Sequence, residues 1–361
     1  MKFGLLGFPK VGKTSLFNIL TGARVSTDKY ASGRSGSNVG VAKVVDPRVA
    51  RLGAIFKPKK LTYAQFDFLD LQGVQKGEGQ ESLSLGEMRN VDAIAHVVRA
   101  FQDPEIAHSE GSIDPARDIA TMEMELILAD LEVATRRRER LALNLKKMKN
   151  KDDELEMPIV EACLQALEKE TPIRSLDLKP EDLKRIRGFA FLTAKPLLLL
   201  INVDEGAASR VDQVAEEMGL KEWAGRPHTA VAGLSAKVEE EIARLDPEDA
   251  RAFLADLGLA EPAKDRVIHA AFGLLGLIQF LTAGEDECRG WSIPSGTRAP
   301  QAAGTIHSDI ERGFIRAEVV AFEDLVAAGG LAAARERALL RSEGKDYVVR
   351  DGDVINFRFN V

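Results

Sequence analysis

The stretch Gly7-Phe-Pro-Lys-Val-Gly-Lys-Thr14 constrains this chain more than any other. It follows the apolar run Phe3-Gly4-Leu5-Leu6, which reads as a short buried strand. After it, Ser15-Leu16-Phe17-Asn18-Ile19-Leu20 has helical apolar spacing that stops at Gly22. A Gly-x4-Gly-Lys-Thr turn between a strand and a helix is a P-loop. The glycines let the backbone curl so that successive N–H groups face one centre, and the helix N-terminus adds partial positive charge. Lys13 would reach the β- and γ-phosphates of a nucleoside triphosphate, and the Thr14 hydroxyl would ligate Mg²⁺. Lys10, Val11, Gly12 and Ser15 would line the same cradle. The chain is expected to bind a nucleoside triphosphate.

A P-loop alone is shared by kinases, ATPases, transporters and GTPases. The stretch from Leu61 to Asp70 alternates and then turns apolar, reading as one strand that ends at Asp70-Leu-Gln-Gly73. An Asp there, three residues before Gly73, fits a carboxylate on the Mg²⁺ side followed by an N–H that senses the γ-phosphate. Val91 to Val98 gives a further strand, and Lys195 to Val203 a buried parallel one delivering Asn202, Val203, Asp204 and Glu205. Thr229 to Ala232 leads to Ser235, Ala236 and Lys237 ahead of another helix. In GTPases these two places carry Asn-Lys-x-Asp and Ser-Ala-Lys, which hold the base. The Asp accepts from guanine N1–H and the exocyclic amine. Glu205 is one methylene longer, which weakens the case for guanine without proving adenine.

The chain has 361 residues, enough for two or three domains. It is 45% hydrophobic and 29% charged, an ordinary globular composition, with no apolar run near the ~20 residues of a membrane span. The N-terminus opens directly into the first strand, so no signal or transit segment is expected, and no membrane partner. Cys163 and Cys288, far apart, are expected to be reduced thiols in a cytoplasmic protein. A net charge of −7 argues against nucleic-acid coating by the whole surface. Any such contact needs a local patch.

About a hundred residues without β character separate the strands at Val91 and Pro196. Ile119, Met122, Leu126, Ala129 and Val133 step as a helix–helix seam, Asn150-Lys151-Asp152-Asp153 looks like a turn, and Val160, Leu164 and Leu167 return. Near the tip of this expected hairpin lie Arg136, Arg137, Arg138, Arg140, Lys146, Lys147, Lys149 and Lys151, opposed only by Glu139. Such a cluster suits a phosphate backbone. Beyond Gly276, short strands and helices (Gln279–Gly284, Arg289–Pro294, Tyr347–Phe359) follow.

These motifs together resemble the YchF / Obg-like ATPase family, nearly end to end: the P-loop, Asn38-Val-Gly-Val41, Asp70 to Gly73, Asn202 to Glu205, Ser235 to Lys237, and the C-terminal block with Ala299-Pro-Gln-Ala-Ala303. The resemblance implies an α/β P-loop G domain over residues 1–112 and 194–276, a helical coiled-coil hairpin inserted over 113–193, and a β-grasp TGS domain over 277–361. It implies ATP in preference to GTP, with base contact extending to Val203, and a slow ATPase that switches on the ribosome or ribosomal RNA through the hairpin tip and TGS domain. A monomer is expected. The family replaces the water-orienting Gln with an apolar residue, here Val74, and a loop histidine, here His108, is implied as the catalytic group beside Lys13. Two departures stand out. Lys10 replaces an Asn that in related GTPases helps hold potassium, putting an ammonium where the ion would sit and counting against a potassium requirement. Arg34 replaces the switch threonine, with Ser35 and Ser37 nearby. Two alternatives stay open: a ribosome- or RNA-binding module with structural nucleotide and no turnover, and a GTPase of relaxed base choice.

Overall fold

The computed structural model describes residues 1–25, 37–71, 83–106, 108, 110–147 and 150–360. The chain divides into two compact units, Met1–Ala42 with Asp67–Leu274, and Lys43–Phe66 with Leu275–Val361. The strands up to Leu234 are β1 (Lys2–Leu6), β2 (Asn38–Val44), β3 (Lys60–Thr62), β4 (Ala64–Asp70), β5 (Ala93–Ala100), β6 (Leu197–Val203) and β7 (Thr229–Leu234). All but β3 form one sheet in the order β2-β4-β1-β5-β6-β7. Its central pairings, β4–β1, β1–β5, β5–β6 and β6–β7, are all parallel. Every residue of β6 is buried, as a strand covered on both faces requires. Helices α1 (Lys13–Thr21), α2 (Pro47–Phe56) and α3 (Leu83–Met88) fall in the first part of the chain.

The insert is a pair of long helices, α4 (Pro115–Lys147) and α5 (Lys151–Glu168). Ile119, Met122, Leu126 and Ala129 are buried on α4, and Val160, Leu164 and Leu167 on α5, as their spacing predicts. The α4 residues that share a core with Cys163, Leu164 and Leu167 of α5 are Ile127 and Ala134, on a neighbouring face of the helix, so the row read from the sequence is buried but is not the core that joins the two helices. Helix α5 begins earlier than the sequence suggests, at Lys151 within the expected turn. Asn150 is the N-cap of α5, its side chain accepting from the Asp152 N–H at 3.0 Å. Asp152, Asp153 and Glu154 then form the acidic first turn, complementing the helix dipole. At the root, the fully buried Asp130 carboxylate accepts from the N–H groups of Leu192 (3.0 Å) and Thr193 (2.7 Å), the Thr193 hydroxyl (2.8 Å) and Arg89 (3.0 Å). A charge so deeply buried is tolerated only when its lone pairs are this well filled.

The second unit holds β8 (Leu277–Ala283), β9 (Glu287–Pro294), β10 (Phe314–Ala321), β11 (Arg341–Glu343) and β12 (Asp353–Phe359). With β3 they form a sheet in the order β11-β10-β12-β8-β9-β3. The alternation from Leu61 to Asp70 is therefore not one strand. It breaks at Tyr63, and β3 pairs parallel with β9, its Thr62 hydroxyl donating to Glu287. Helix α2 packs on the same sheet, Val49 and Leu52 sharing a core with Leu281, Val320, Leu325 and Val354. From Tyr347 to Gly352 the chain is loop rather than strand, with an isolated antiparallel bridge between Val348 and Arg298. Among the described residues, no helix is long and apolar enough to cross a membrane.

Candidate nucleotide-binding site

Because β1, β4, β6 and β7 run parallel, their carboxyl ends share one edge of the sheet, where ligands of such folds sit. The P-loop leaves β1 there. Gly12 has φ 96°, and a Cβ on it would lie 2.5 Å from Asn202 Nδ2. Gly7 has its backbone against Val97, whose carbonyl oxygen a Cβ would meet at 2.5 Å. Lys10 is left-handed at φ 63°, with its side chain exposed. Val11 is buried, and Ser15 is half-buried in the first turn of α1.

Lys13 is folded under this loop, donating to the carbonyls of Gly7 (3.0 Å) and Phe8 (2.8 Å). Burial lowers its pKa to about 8, against a smaller opposing pull from Asp70. The Thr14 hydroxyl donates to Asp70 Oδ2 at 3.1 Å. Burial pushes the Asp70 carboxyl up, while Thr14, Lys13 and the Asn38 side chain hold it down. Asp70 Oδ1 is buried without a hydrogen bond. A hydroxyl beside an orphaned carboxylate oxygen fits Mg²⁺, which takes one or two protein oxygens and otherwise water and phosphate. Asn38, as a partner of Asp70, is a contact that sequence reasoning missed: β2 and β4 are remote in the chain and adjacent in the sheet. His96, whose place inside an apolar strand marks it as core, is buried on β5 close enough to Lys13 to feel its charge.

On the other side, Asn202 is buried at the end of β6 and spends both halves of its amide on the protein. Nδ2 donates to the Val11 carbonyl at 3.0 Å, and Oδ1 accepts from the Ala236 N–H at 3.0 Å. One side chain thus ties the phosphate loop to the Ser235–Lys237 turn. Val203 and Ser235 are buried, the Ser235 hydroxyl without a partner. Glu205 and Lys237 form an ion pair at 2.5 Å.

His108 is not a solvated loop residue. Its side chain is 6% exposed, with Nδ1 accepting from the Glu110 N–H at 3.1 Å and Nε2 lying 3.0 Å from Asp118 Oδ2. That second contact is close but not aligned as a hydrogen bond. Gly73 lies outside the described residues, as do Arg34, Ser35, Val74 and Lys149; Ser37 is described and half-buried. On the hairpin, Glu139 is not the only opposing charge. Arg137 makes two hydrogen bonds to Glu156 on α5, at 2.6 and 2.9 Å, and stands over the Phe189 ring; Arg136 pairs with Glu132 one turn back.

Comparison with known proteins covers the whole chain. Residues 2–134 match a family described as 50S ribosome-binding GTPase, and residues 277–360 match the C-terminal family of YchF GTPases, described as a protein of unknown function. A Bacillus subtilis (strain 168) protein named ribosome-binding ATPase YchF is 44% identical, the match spanning 99% of this chain and 99% of that one. One of the same name from Escherichia coli O157:H7 is 42% identical over 100% of this chain and 99% of its own. The solved structure of the Schizosaccharomyces pombe YchF GTPase is 31% identical, with a TM-score of 0.84, covering 99% of this chain and 97% of that one. With similarity running end to end through a P-loop edge, a helical insert and a C-terminal sheet, the chain belongs to the YchF family.

Proposed function

We propose that this chain binds ATP with Mg²⁺, hydrolyses it slowly, and uses its nucleotide state to govern association with the ribosome as a cytoplasmic monomer. The observation that carries this is the single sheet edge at which Lys13, Thr14, Asp70 and Asn202 converge. The names of relatives matched end to end, ribosome-binding ATPase, support the partner and the reaction.

In this reading Lys13 exchanges two backbone carbonyls for phosphate oxygens, a stronger charge-assisted pairing. Backbone N–H groups from Val11 to Ser15, with Gly73, cradle the phosphates. Thr14 and Asp70 hold Mg²⁺, which when bound neutralises phosphate charge. Asn202, Val203, Glu205 and the Ser235-Ala236-Lys237 turn face the base. His108 is the catalytic group of this reading, and would have to leave Asp118 to serve. Lys10 offers donors only, so potassium has no part in the proposal. The exposed arginines of the hairpin and the TGS domain meet ribosomal RNA.

The alternative of relaxed base choice is favoured by two names: the family matched over residues 2–134 and the solved Schizosaccharomyces pombe relative are both described as GTPases. Calorimetry with ATP and GTP plus a turnover assay decides. ATP should bind more tightly, with slow turnover. Tenfold tighter GTP, about 1.4 kcal/mol, would sink the ATPase reading, and tight binding with no turnover would favour a structural nucleotide.

A further inference from the structure

We propose that Lys237 sets the base preference by holding Glu205, so that adenine enters with the pair intact and guanine only by breaking it. This rests on the reading of Asn202–Glu205 and Ser235–Lys237 as the base-facing segments. Other polar groups of the first segment are already committed. Asn202 is spent on Val11 and Ala236, and the Asp204 side chain accepts from the Ala207 N–H at 3.1 Å, capping the turn after β6. Glu205 is the carboxylate left for a base. Its Oε1 lies 2.5 Å from Lys237 Nζ, with both side chains reaching solvent (48% and 70% exposed).

Guanine donates two hydrogens side by side, from N1 and the exocyclic amine, and a carboxylate reads them by offering both oxygens in one plane. With Lys237 on Oε1 that face is half occupied. Adenine asks for less. Its C6 amine needs one acceptor, which Oε2 supplies, and its ring nitrogen is an acceptor that an ammonium with three donors can meet. The Glu205–Lys237 pair thus presents one acceptor and one donor together, the complement of adenine's edge. Glu205 is one methylene longer than the Asp of guanine-binding motifs, and it ends against Lys237.

An exposed ion pair is weak, so the effect on selectivity should be modest, roughly five-fold. The test is equilibrium titration of the full chain with ATP and with GTP, each with Mg²⁺, for wild type, Lys237→Met and Lys237→Arg. Met keeps the aliphatic stem and removes the charge; Arg keeps the pair. The inference expects Lys237→Met to reduce the ATP-over-GTP affinity ratio by about that factor, chiefly through tighter GTP, and Lys237→Arg to preserve it. An unchanged ratio in Lys237→Met, or equal weakening of both nucleotides, overturns it while leaving the base-site reading standing. A wild type that binds both nucleotides equally overturns both together.

Discussion

Lys13 shows how a binding residue can cost the empty protein stability. Burial lowers its pKa from 10.5 to about 8, so at neutral pH the fold holds an ammonium it would rather not. The folded state binds fewer protons than the unfolded one between those values, and stability rises as pH climbs through that window. Lys13→Met should therefore stabilise the nucleotide-free protein by up to about 3 kcal/mol. The same variant should lose nucleotide binding. Denaturant unfolding and nucleotide titration of this one variant check both halves, and normal ATP affinity in the folded variant would remove the central claim. His96 carries a second pH dependence. Burial, and then Lys13, lower its pKa from 6.5 to about 3, and its Nε2 has no hydrogen bond. Above pH 6.5 both states are neutral and nothing is lost. Below it the unfolded chain protonates first, so stability should fall by about 1.4 kcal/mol per pH unit, reaching ~2 kcal/mol at pH 5. His96 lies in register with Leu6 and Leu199, so His96→Leu should flatten that part of the profile. A profile identical to wild type would mean that the imidazole is not the group responsible.

At the scale of elements, the hairpin separates residues that the sequence lumps together. Spacing along α4 marks Arg136 to Arg140 as one basic run, yet Arg137 faces α5 and is only 24% exposed, bridged to Glu156. Its burial depends on which helix lies alongside, which periodicity within α4 cannot say. Arg137→Ser should therefore cost the hairpin about 1–2 kcal/mol in lost charge-assisted bonds rather than weaken partner binding directly. Arg138 is half-buried too, lining a hollow with Glu161 and Glu168 of α5, which leaves Arg136 and Arg140 as the exposed arginines available to phosphates. Replacing Arg136 and Arg140 by Ser should flatten the salt dependence of ribosome co-sedimentation by up to ~2 units in log–log slope, with basal ATP turnover nearly unchanged. Unaltered co-sedimentation would make them a solvated face and leave the C-terminal sheet as the better docking candidate. The buried row Ile119, Met122 and Leu126 was more legible than the ion pairs, because apolar spacing is set within one helix, whereas Asn150, which reads as turn, proves to be the cap of α5.

For the whole molecule, the decisive fact is that Lys43–Phe66 clusters with the C-terminal unit. Val49 and Leu52 on α2 are fully buried against side chains more than 200 residues later, such as Leu281 and Val320. A chain ending at Leu274 should then be poorly soluble, with amides 47–56 losing hydrogen-exchange protection, because α2 and β3 would have no sheet to cover. Retained protection there would show that the segment folds without its C-terminal core. The sequence alone determined the phosphate loop, the strand ends at Asp70 and Asn202, and the buried apolar row along α4. Each of those is written by nearest neighbours: turn chemistry between Gly7 and Thr14, or apolar period along one element. What only the tertiary structure decided was partnership. An amphipathic α2 announces that one face is buried but not by what, and the alternation from Leu61 to Asp70 does not reveal that it splits between two sheets at Tyr63. Asn202 binding Val11 and Ala236, Asn38 reaching Asp70, and Glu156 answering Arg137 are likewise contacts between remote segments, and they exist only once the chain has closed on itself.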